Sequence, residues 1–384
     1  MIVPKSLAYA ISILGFFGFL LWFYIDGKAM LKIRIPVFLV SLVVMLASLL
    51  SLLSAQINGL ESIYSIFIVY PIVIVGSFLI FYSVTPTYIS RPGVEMAVTC
   101  LIIILFVMAM LQQFKIIDLP GATPAYGIPG DLARPSSLTG SYLHYPLVMV
   151  LLGVFLQSLK QKTSLVAILA FSSVFVAFSR SGMMLVATHC LLIFLYGVFN
   201  DTLRFRVRSI MISLITIVVV LFISIWTGFA QVLFSRIISS FDVQGIGNGD
   251  RIAAWEHGLR VISESNLLFG SNFGMATNLT SNLVGAHSYV VESSFLQSLI
   301  NFGIFGTLAF IAMFVFMALS LREIYMKLFF ISVFLQSMIY QSTEVLPFIL
   351  GLMLLSSLPN MVERPFSVRP TSSGFGPSGE SKCL

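Results

Sequence analysis

Long uninterrupted apolar runs alternate with short polar segments over most of the chain. Most runs approach the ~20 residues that a helix needs to cross a bilayer. A helix also closes its backbone hydrogen bonds internally, as the hydrocarbon core requires. The pattern therefore predicts an all-α polytopic integral membrane protein with eleven transmembrane helices. We place them at 7–25, 35–54, 63–82, 95–112, 144–159, 163–178, 182–199, 210–228, 292–319, 326–341 and 345–358.

Two polar connections, 113–143 and 229–291, are much longer than the others. We predict one transmembrane helical domain over 1–358 that carries both loops. The tail over 359–384 is rich in Pro, Ser and Gly and is predicted to be disordered.

The second long loop is predicted to be helical in two places. Residues 231–241 have the pattern of an interfacial helix, and another helix begins at Asp250 after a glycine-rich turn. The apolar stripe of the latter, at helical spacing, is predicted to be Ile252, Trp255, Leu259 and Ile262.

Composition excludes a water-soluble fold, because only 9% of the residues are charged and 58% are hydrophobic. Soluble domains have roughly 25% charged residues. The net charge of +6 therefore indicates membrane topology rather than a nucleic-acid partner. The three cysteines form no disulfide framework.

The distribution of Lys and Arg predicts the orientation. One set of alternate loops, with the C-terminal tail, holds fourteen of the 21 cations, and the opposite set holds seven. Cytoplasmic loops carry the excess of positive charge, so the N-terminus and both long loops are predicted to lie outside. The outside cations are Lys5, Lys115, Arg134, Arg180, Arg236, Arg251 and Arg260.

Two of these outside arginines stand beside predicted helix N-termini. Arg134 precedes the helix that starts near His144, and Arg180 lies in a turn that opens the next outward-facing helix. Free N–H groups and the helix dipole favour anions there, which suggests a phosphate or diphosphate site. The alternative is that Arg180 reaches the lipid headgroups and Arg134 is a surface loop residue.

The second loop adds another candidate cation. Arg260 has acidic neighbours at helical spacing, and Arg236 fits an interfacial helix. Arg251 has no such local explanation and is the better candidate for function.

A histidine and a carboxylate close this loop. His287 can act as a general base near neutral pH, or as a structural hydrogen-bonding residue. Glu292 can share the role of base, or can be stabilised by the N-terminus of the helix that it precedes. His144 and His257 are interpreted as structural.

The residues between the predicted interfaces argue against ion-coupled transport. His189 is the clear ionisable residue inside a span, and we expect it to bond to a neighbouring helix. No nucleotide-binding loop, metal-ligand spacing or Asp-x-Asp pair occurs, so no metal or other cofactor is expected.

The order of these features resembles the bacterial O-antigen ligase/O-antigen polymerase superfamily of integral membrane glycosyltransferases. The resemblance covers about 130–306. It rests on Arg134-Pro135 with Gly140 and Pro146, on Phe178-Ser179-Arg180-Ser181-Gly182, on Asp250-Arg251 with Trp255 and Leu267-Leu268-Phe269-Gly270, and on His287-Ser288, Glu292, Leu296 and Gly303-Ile304-Phe305-Gly306. The family pattern usually has twelve spans, against eleven here.

The resemblance implies a periplasm-facing site in the bacterial inner membrane that acts on glycans carried by undecaprenyl diphosphate, without metal. Arg134, Arg180 and Arg251 would bind the diphosphate, and His287 or Glu292 would accept the proton of the acceptor hydroxyl. A chain-length regulator and a flippase are the implied protein partners.

Four functions are consistent with these observations. A polymerase of lipid-linked repeat units for O-antigen, capsule or exopolysaccharide ranks first, and an O-antigen ligase that acts on lipid A-core ranks second. A polysaccharide or lipid transporter is disfavoured by the uncharged spans. A eukaryotic-type glycosyltransferase is disfavoured because Glu61 is the one acidic residue in the first exterior loop.

Overall fold

The computed structural model describes residues 30–31, 35–57, 75–76, 84–85, 91–119, 121–124, 133–199, 249–264, 266–270, 291–321 and 323–357. Outside these residues lie the predicted spans 7–25 and 210–228, nearly all of 63–82, the helix 231–241, the tail 359–384 and His287.

The described residues are mostly helical, as predicted. Nine helices are present among them: α1 Ile35–Ile57, α2 Arg91–Gln113, α3 His144–Lys160, α4 Leu165–Val176, α5 Arg180–Phe199, α6 Gly249–Glu264, α7 Ser294–Ser320, α8 Ile324–Ser337 and α9 Leu346–Ser357. All except α6 coincide with predicted spans. The other three predicted spans lie largely or wholly outside the described residues.

Three of the described helices are long and apolar enough to cross a membrane, namely Pro92–Gln113, Arg180–Phe199 and Ser294–Ser320. The other apolar segments found are shorter, at Phe38–Ser51, His144–Lys160, Leu165–Val176, Ile324–Ser337 and Pro347–Ser356. The total of eleven spans therefore stays a prediction.

Four very short strands were not predicted. β1 (Met30–Leu31) pairs with β2 (Val84–Thr85), and β3 (Thr123–Pro124) pairs with β4 (Ala133–Arg134), both antiparallel. The second pair lies in the long loop 113–143, and a 3₁₀ helix at Ser137–Thr139 follows it. Two-residue pairings carry too little sequence pattern to be recognised beforehand.

Helix α3 is the centre of the described fold. It is apolar on every face, and it packs against α2, α4, α5, α8 and α9. A helix that is hydrophobic all round is typically buried, which agrees with this position. Gly153 lets α4 approach closely, because a Cβ atom there would lie 2.9 Å from the ring of Phe171.

Helix α7 is interrupted at Gly303, whose φ of 64° and ψ of −171° are not helical. The turn 266–270 binds at this interruption. The carbonyl oxygens of Leu267 and Leu268 accept hydrogen bonds from the backbone nitrogens of Ile304 at 2.9 Å and Phe305 at 3.3 Å. The turn thus satisfies N–H groups that the break in the helix leaves without intrahelical partners.

Candidate active site

The helix ends that were predicted to face outward lie together at one end of the bundle. Gln112 at the end of α2 accepts hydrogen bonds at 2.9 Å from the backbone nitrogens of Ser136 and Ser137. A Cβ atom on Gly182, in the first turn of α5, would lie 3.0 Å from Pro146 in the first turn of α3. The N-termini of α3 and α5 and the C-terminus of α2 are therefore neighbours.

Arg134 lies on β4, opposite Thr123. Its guanidinium carbon stands 4.1 Å from the centre of the Tyr142 ring. The guanidinium is therefore placed by an aromatic face within a segment that Gln112 holds against α2. Arg134 is partly buried, which differs from a freely solvated loop residue.

Arg180 is the first residue of α5, two residues earlier than the predicted start. The hydroxyl of Ser179 caps the helix by accepting from the backbone nitrogen of Gly182 at 3.1 Å. Phe178 precedes this cap, fully buried and in the left-handed region with φ 48°. Arg180 therefore stands at a structured helix N-terminus, where the backbone dipole favours anions.

Arg251 in α6 forms an ion pair with Glu292, in which its Nε donates to Glu292 Oε2 at 2.5 Å. Its guanidinium carbon also lies 4.6 Å from the centre of the Tyr340 ring. The Arg251 side chain is 17% exposed and that of Glu292 is 43% exposed. Within the described chain, the terminal Nη1 and Nη2 nitrogens of Arg251 have no hydrogen-bond partner. No described residue therefore binds the edge of the guanidinium that suits a phosphate.

Glu292 stands in a strained backbone conformation next to the start of α7. Its φ is 53°, in the left-handed region that non-glycine residues rarely occupy. Ser293 follows and caps α7 by accepting from the backbone nitrogen of Leu296 at 3.3 Å. The same sequence of a left-handed residue followed by a serine cap starts α5 at Phe178 and Ser179. Such strain is often found where function fixes the geometry.

The connection between α8 and α9, residues 338–345, lies against the start of α7. The hydroxyl of Ser293 donates to the carbonyl oxygen of Met338 at 2.8 Å. Ser294 donates to the carbonyl oxygen of Tyr340 through its backbone nitrogen at 3.3 Å and through its hydroxyl at 3.1 Å. This α8–α9 connection therefore borders the Arg251–Glu292 pair.

Glu344 in the same connection is a buried carboxylate that accepts a hydrogen bond from the side-chain amide of Gln297 in α7. Neither Glu344 nor Tyr340 was predicted as a site residue. The available signal was the polar run Gln341-Ser342-Thr343-Glu344 between two apolar runs on the predicted exterior side.

The structure thus brings two of the predicted site residues, Arg251 and Glu292, into direct contact. Arg180 is linked to the same region through α8, since the side-chain amide of Gln336 donates to the carbonyl oxygen of Ser181 at 2.8 Å. Arg134 lies at the ends of the neighbouring helices, with its guanidinium over the ring of Tyr142. His287 is outside the described residues.

The packing face of α6 differs from the predicted stripe. Trp255, Val261 and Ile262 pack against Val291 and Ile300. Leu259 is 56% exposed, so its assignment to the stripe was wrong. The buried face of α6 instead includes Gly258, where a Cβ atom would lie only 2.8 Å from Val291.

Three other histidines lie within the described residues. His189 is fully buried, and its Nε2 lies 3.4 Å from Oε1 of Gln157 in α3, as expected for a bond to a neighbouring helix. His144 is buried at the start of α3, and His257 is exposed on α6.

Comparison with protein families gives a match over residues 165–311 to the family described as O-antigen ligase. The matched segment contains Arg180, Arg251 and Glu292. Arg134 precedes it, and the α8–α9 connection follows it. Comparison with curated proteins gives no match.

Proposed function

We propose that the chain is a membrane glycosyltransferase of the O-antigen ligase/polymerase superfamily, which residues 165–311 match, and that it polymerises lipid-linked oligosaccharide repeat units. The donor is a repeat-unit glycan on undecaprenyl diphosphate, and the product is O-antigen, capsule or exopolysaccharide. The reaction takes place at the periplasmic face of the bacterial inner membrane.

The observation that supports glycosyl transfer from a diphosphate-linked donor is the arrangement around Arg251. Its Nε is bound to Glu292 and one guanidinium face lies on Tyr340, while neither terminal nitrogen is hydrogen-bonded to another described residue. Arginine binds phosphate oxygens in a bidentate manner through such an edge. Arg180 at the N-terminus of α5 and Arg134 supply further positive charge at the same end of the bundle.

The three arginines have a direct role in the proposed chemistry. As the acceptor hydroxyl attacks the anomeric carbon, the bond from that carbon to the diphosphate oxygen breaks, and negative charge grows on the leaving undecaprenyl diphosphate. Cations already in place stabilise this charge. One displacement inverts the anomeric centre, and no metal or cofactor is required.

The acceptor proton goes to His287 in this proposal. Oε2 of Glu292 is engaged by Arg251, so we assign Glu292 to positioning Arg251 and His287 to general base catalysis. This is a refinement of the sequence-based hypothesis, in which both residues were candidates for the base.

The second candidate is an O-antigen ligase, and the description of the matched family favours it. A ligase uses the same donor but transfers the finished polymer to lipid A-core. The proposed partners of the polymerase are the lipid-linked donor and acceptor, the bilayer, a chain-length regulator and a flippase.

Reconstitution tests the proposal. Full-length protein in proteoliposomes is supplied with lipid-linked repeat units extracted from a strain that lacks the protein. We expect longer lipid-linked glycans and release of undecaprenyl diphosphate, with no product from Arg251→Ala. Products of unchanged length in the presence of active donor would reject polymerisation, and transfer to added lipid A-core would favour the ligase.

A further inference from the structure

We propose that the α8–α9 connection completes the anion site, and that Tyr340 is a positioning residue for Arg251. The inference rests on the proposed function, because it concerns the same diphosphate-binding arginine. The connection begins 27 residues after the family match ends at residue 311. A part of the chain that the family match does not reach therefore has a role in the site.

The hydrogen bond to Glu292 alone does not fix the orientation of the Arg251 guanidinium. The Nε hydrogen bond to Glu292 fixes one point of the guanidinium and still allows the plane to rotate about that bond. The Tyr340 ring, 4.6 Å from the guanidinium carbon, restricts the orientation of the plane. An arginine held at both places loses less side-chain entropy when it binds an anion.

Tyr340 is itself fixed to the helix turn that follows Glu292. Its carbonyl oxygen accepts two hydrogen bonds from Ser294, at 3.3 Å from the backbone nitrogen and at 3.1 Å from the hydroxyl. The hydroxyl of Ser294 is also bonded by the backbone nitrogen of Thr343 at 3.2 Å. The ring and the carboxylate that hold Arg251 are thus both attached to the first turn of α7.

The last turn of α8 links the connection to the helix that carries Arg180. The backbone nitrogen of Tyr340 donates to the carbonyl oxygen of Gln336 at 2.9 Å. The side-chain amide of Gln336 donates to the carbonyl oxygen of Ser181 at 2.8 Å. One short segment, from Gln336 to Tyr340, therefore joins the start of α5 to the support of Arg251, and it can keep the two arginines at a set separation.

Binding of undecaprenyl diphosphate to full-length protein in nanodiscs tests the role of Tyr340. Tyr340→Phe keeps the aromatic face, so we expect a Kd within about 2-fold of wild type. Tyr340→Leu removes the face, and we expect binding that is about 2- to 30-fold weaker. Tyr196→Leu, at the far end of α5, is the matched control and should leave the Kd unchanged.

The double variant Arg251→Ala/Tyr340→Leu separates positioning from a general structural effect. If Tyr340 acts through Arg251, the double variant binds no more weakly than Arg251→Ala alone. Additive losses overturn the positioning role, as do equal losses in Tyr340→Phe and Tyr340→Leu. Tyr340→Met, which also lacks the ring, gives the same test if the leucine variant does not accumulate.

The outcomes also distinguish this inference from the proposed function. Wild-type binding by Tyr340→Leu, with loss in Arg251→Ala, rejects the role of Tyr340 and leaves the diphosphate site in place. Wild-type binding by Arg251→Ala rejects both. In a turnover assay, we expect Tyr340→Leu to raise the KM for the lipid-linked donor more than it lowers kcat, whereas a loss of folded protein alone lowers only the apparent kcat.

Discussion

A Cβ atom on Gly270 would lie 2.9 Å from the backbone nitrogen of Gly303, so these two glycines are in backbone contact. A Cβ atom on Gly303 would in turn lie 2.4 Å from the carbonyl oxygen of Leu268. Both glycines have positive φ, at 72° and 64°. Two of the segments on which the family resemblance rests, 267–270 and 303–306, are therefore the two halves of one contact. This contact fixes the turn that follows α6 to the break in α7.

We predict that Gly303→Ala and Gly270→Ala destabilise the protein. Left-handed backbone costs a non-glycine residue roughly 1–2 kcal/mol, and forcing an extra carbon into a packed contact costs roughly 1–3 kcal/mol. Thermal unfolding of detergent-solubilised protein, followed by size-exclusion chromatography, measures the effect. Gly197→Ala is the control, because no atom lies within 4 Å of a Cβ built there. Equal thermal stability of all three variants would show that the contact is not rigid.

The sequence predicted all nine described helices, eight as spans and α6 as a helix of the second long loop, because apolar periodicity and apolar runs are local signals. Their starts were less well predicted, since α5 begins at Arg180 and α7 at Ser294, where serine hydroxyls cap the helices. The Arg251–Glu292 pair could not be predicted, because its members are 41 residues apart and no local pattern joins them. Tyr340 was missed for the same reason.

Substitution of Arg251 should remove the main contact of the protein with the diphosphate. Arg251→Ala should abolish product while the protein inserts at a normal level, because each charge-assisted contact to the diphosphate contributes roughly 1.5–3 kcal/mol. Arg251→Lys should restore little activity, since an ammonium cannot bind Glu292 and a phosphate through a planar fork. Initial rates of polymer formation in proteoliposomes provide the measurement.

Two further variants test whether the loss of activity is specific to Arg251 and to its ion pair with Glu292. Arg260→Ala, on the exposed side of the same helix, is the matched control and should keep wild-type activity. Glu292→Gln should lower activity by about 10-fold, because the neutral amide binds Arg251 less strongly. If Arg251→Ala and Arg260→Ala have the same activity, the diphosphate is bound elsewhere.

His287 should be needed for transfer but not for donor binding. His287→Ala removes the proposed base from an intact anion site, so kcat should fall about 10²- to 10⁴-fold. The Kd for undecaprenyl diphosphate should stay within error of wild type. His257→Ala, on the exposed face of α6, is the control. Activity retained in His287→Ala would transfer the role of base to Glu292 or to solvent.

The orientation of the bundle can be tested by labelling with an impermeant maleimide in spheroplasts. Leu138→Cys, at a 55% exposed position in the loop 113–143, should react. Lys162→Cys, in the exposed turn between α3 and α4, should not react. Both are placed in a background without Cys100, Cys190 and Cys383. Labelling at Lys162 alone would invert the topology and separate the arginines from a periplasmic substrate.

Deletion of the protein separates polymerase from ligase, which share a donor and differ in the acceptor. A polymerase joins a second lipid-linked repeat, so its loss should leave lipid A-core capped by a single repeat, because a separate ligase still acts. In a cell that makes capsule or free exopolysaccharide, that polymer should disappear while lipopolysaccharide is unchanged. Loss of a ligase should instead leave the core bare, with long chains accumulating on undecaprenyl diphosphate. Gel analysis after mild acid release of lipid-linked glycans distinguishes these results. Long lipid-linked chains in the deletion strain would reject the polymerase. Complementation of this strain with the Arg251→Ala variant should leave the deletion phenotype unchanged in either case, because both reactions release the same diphosphate.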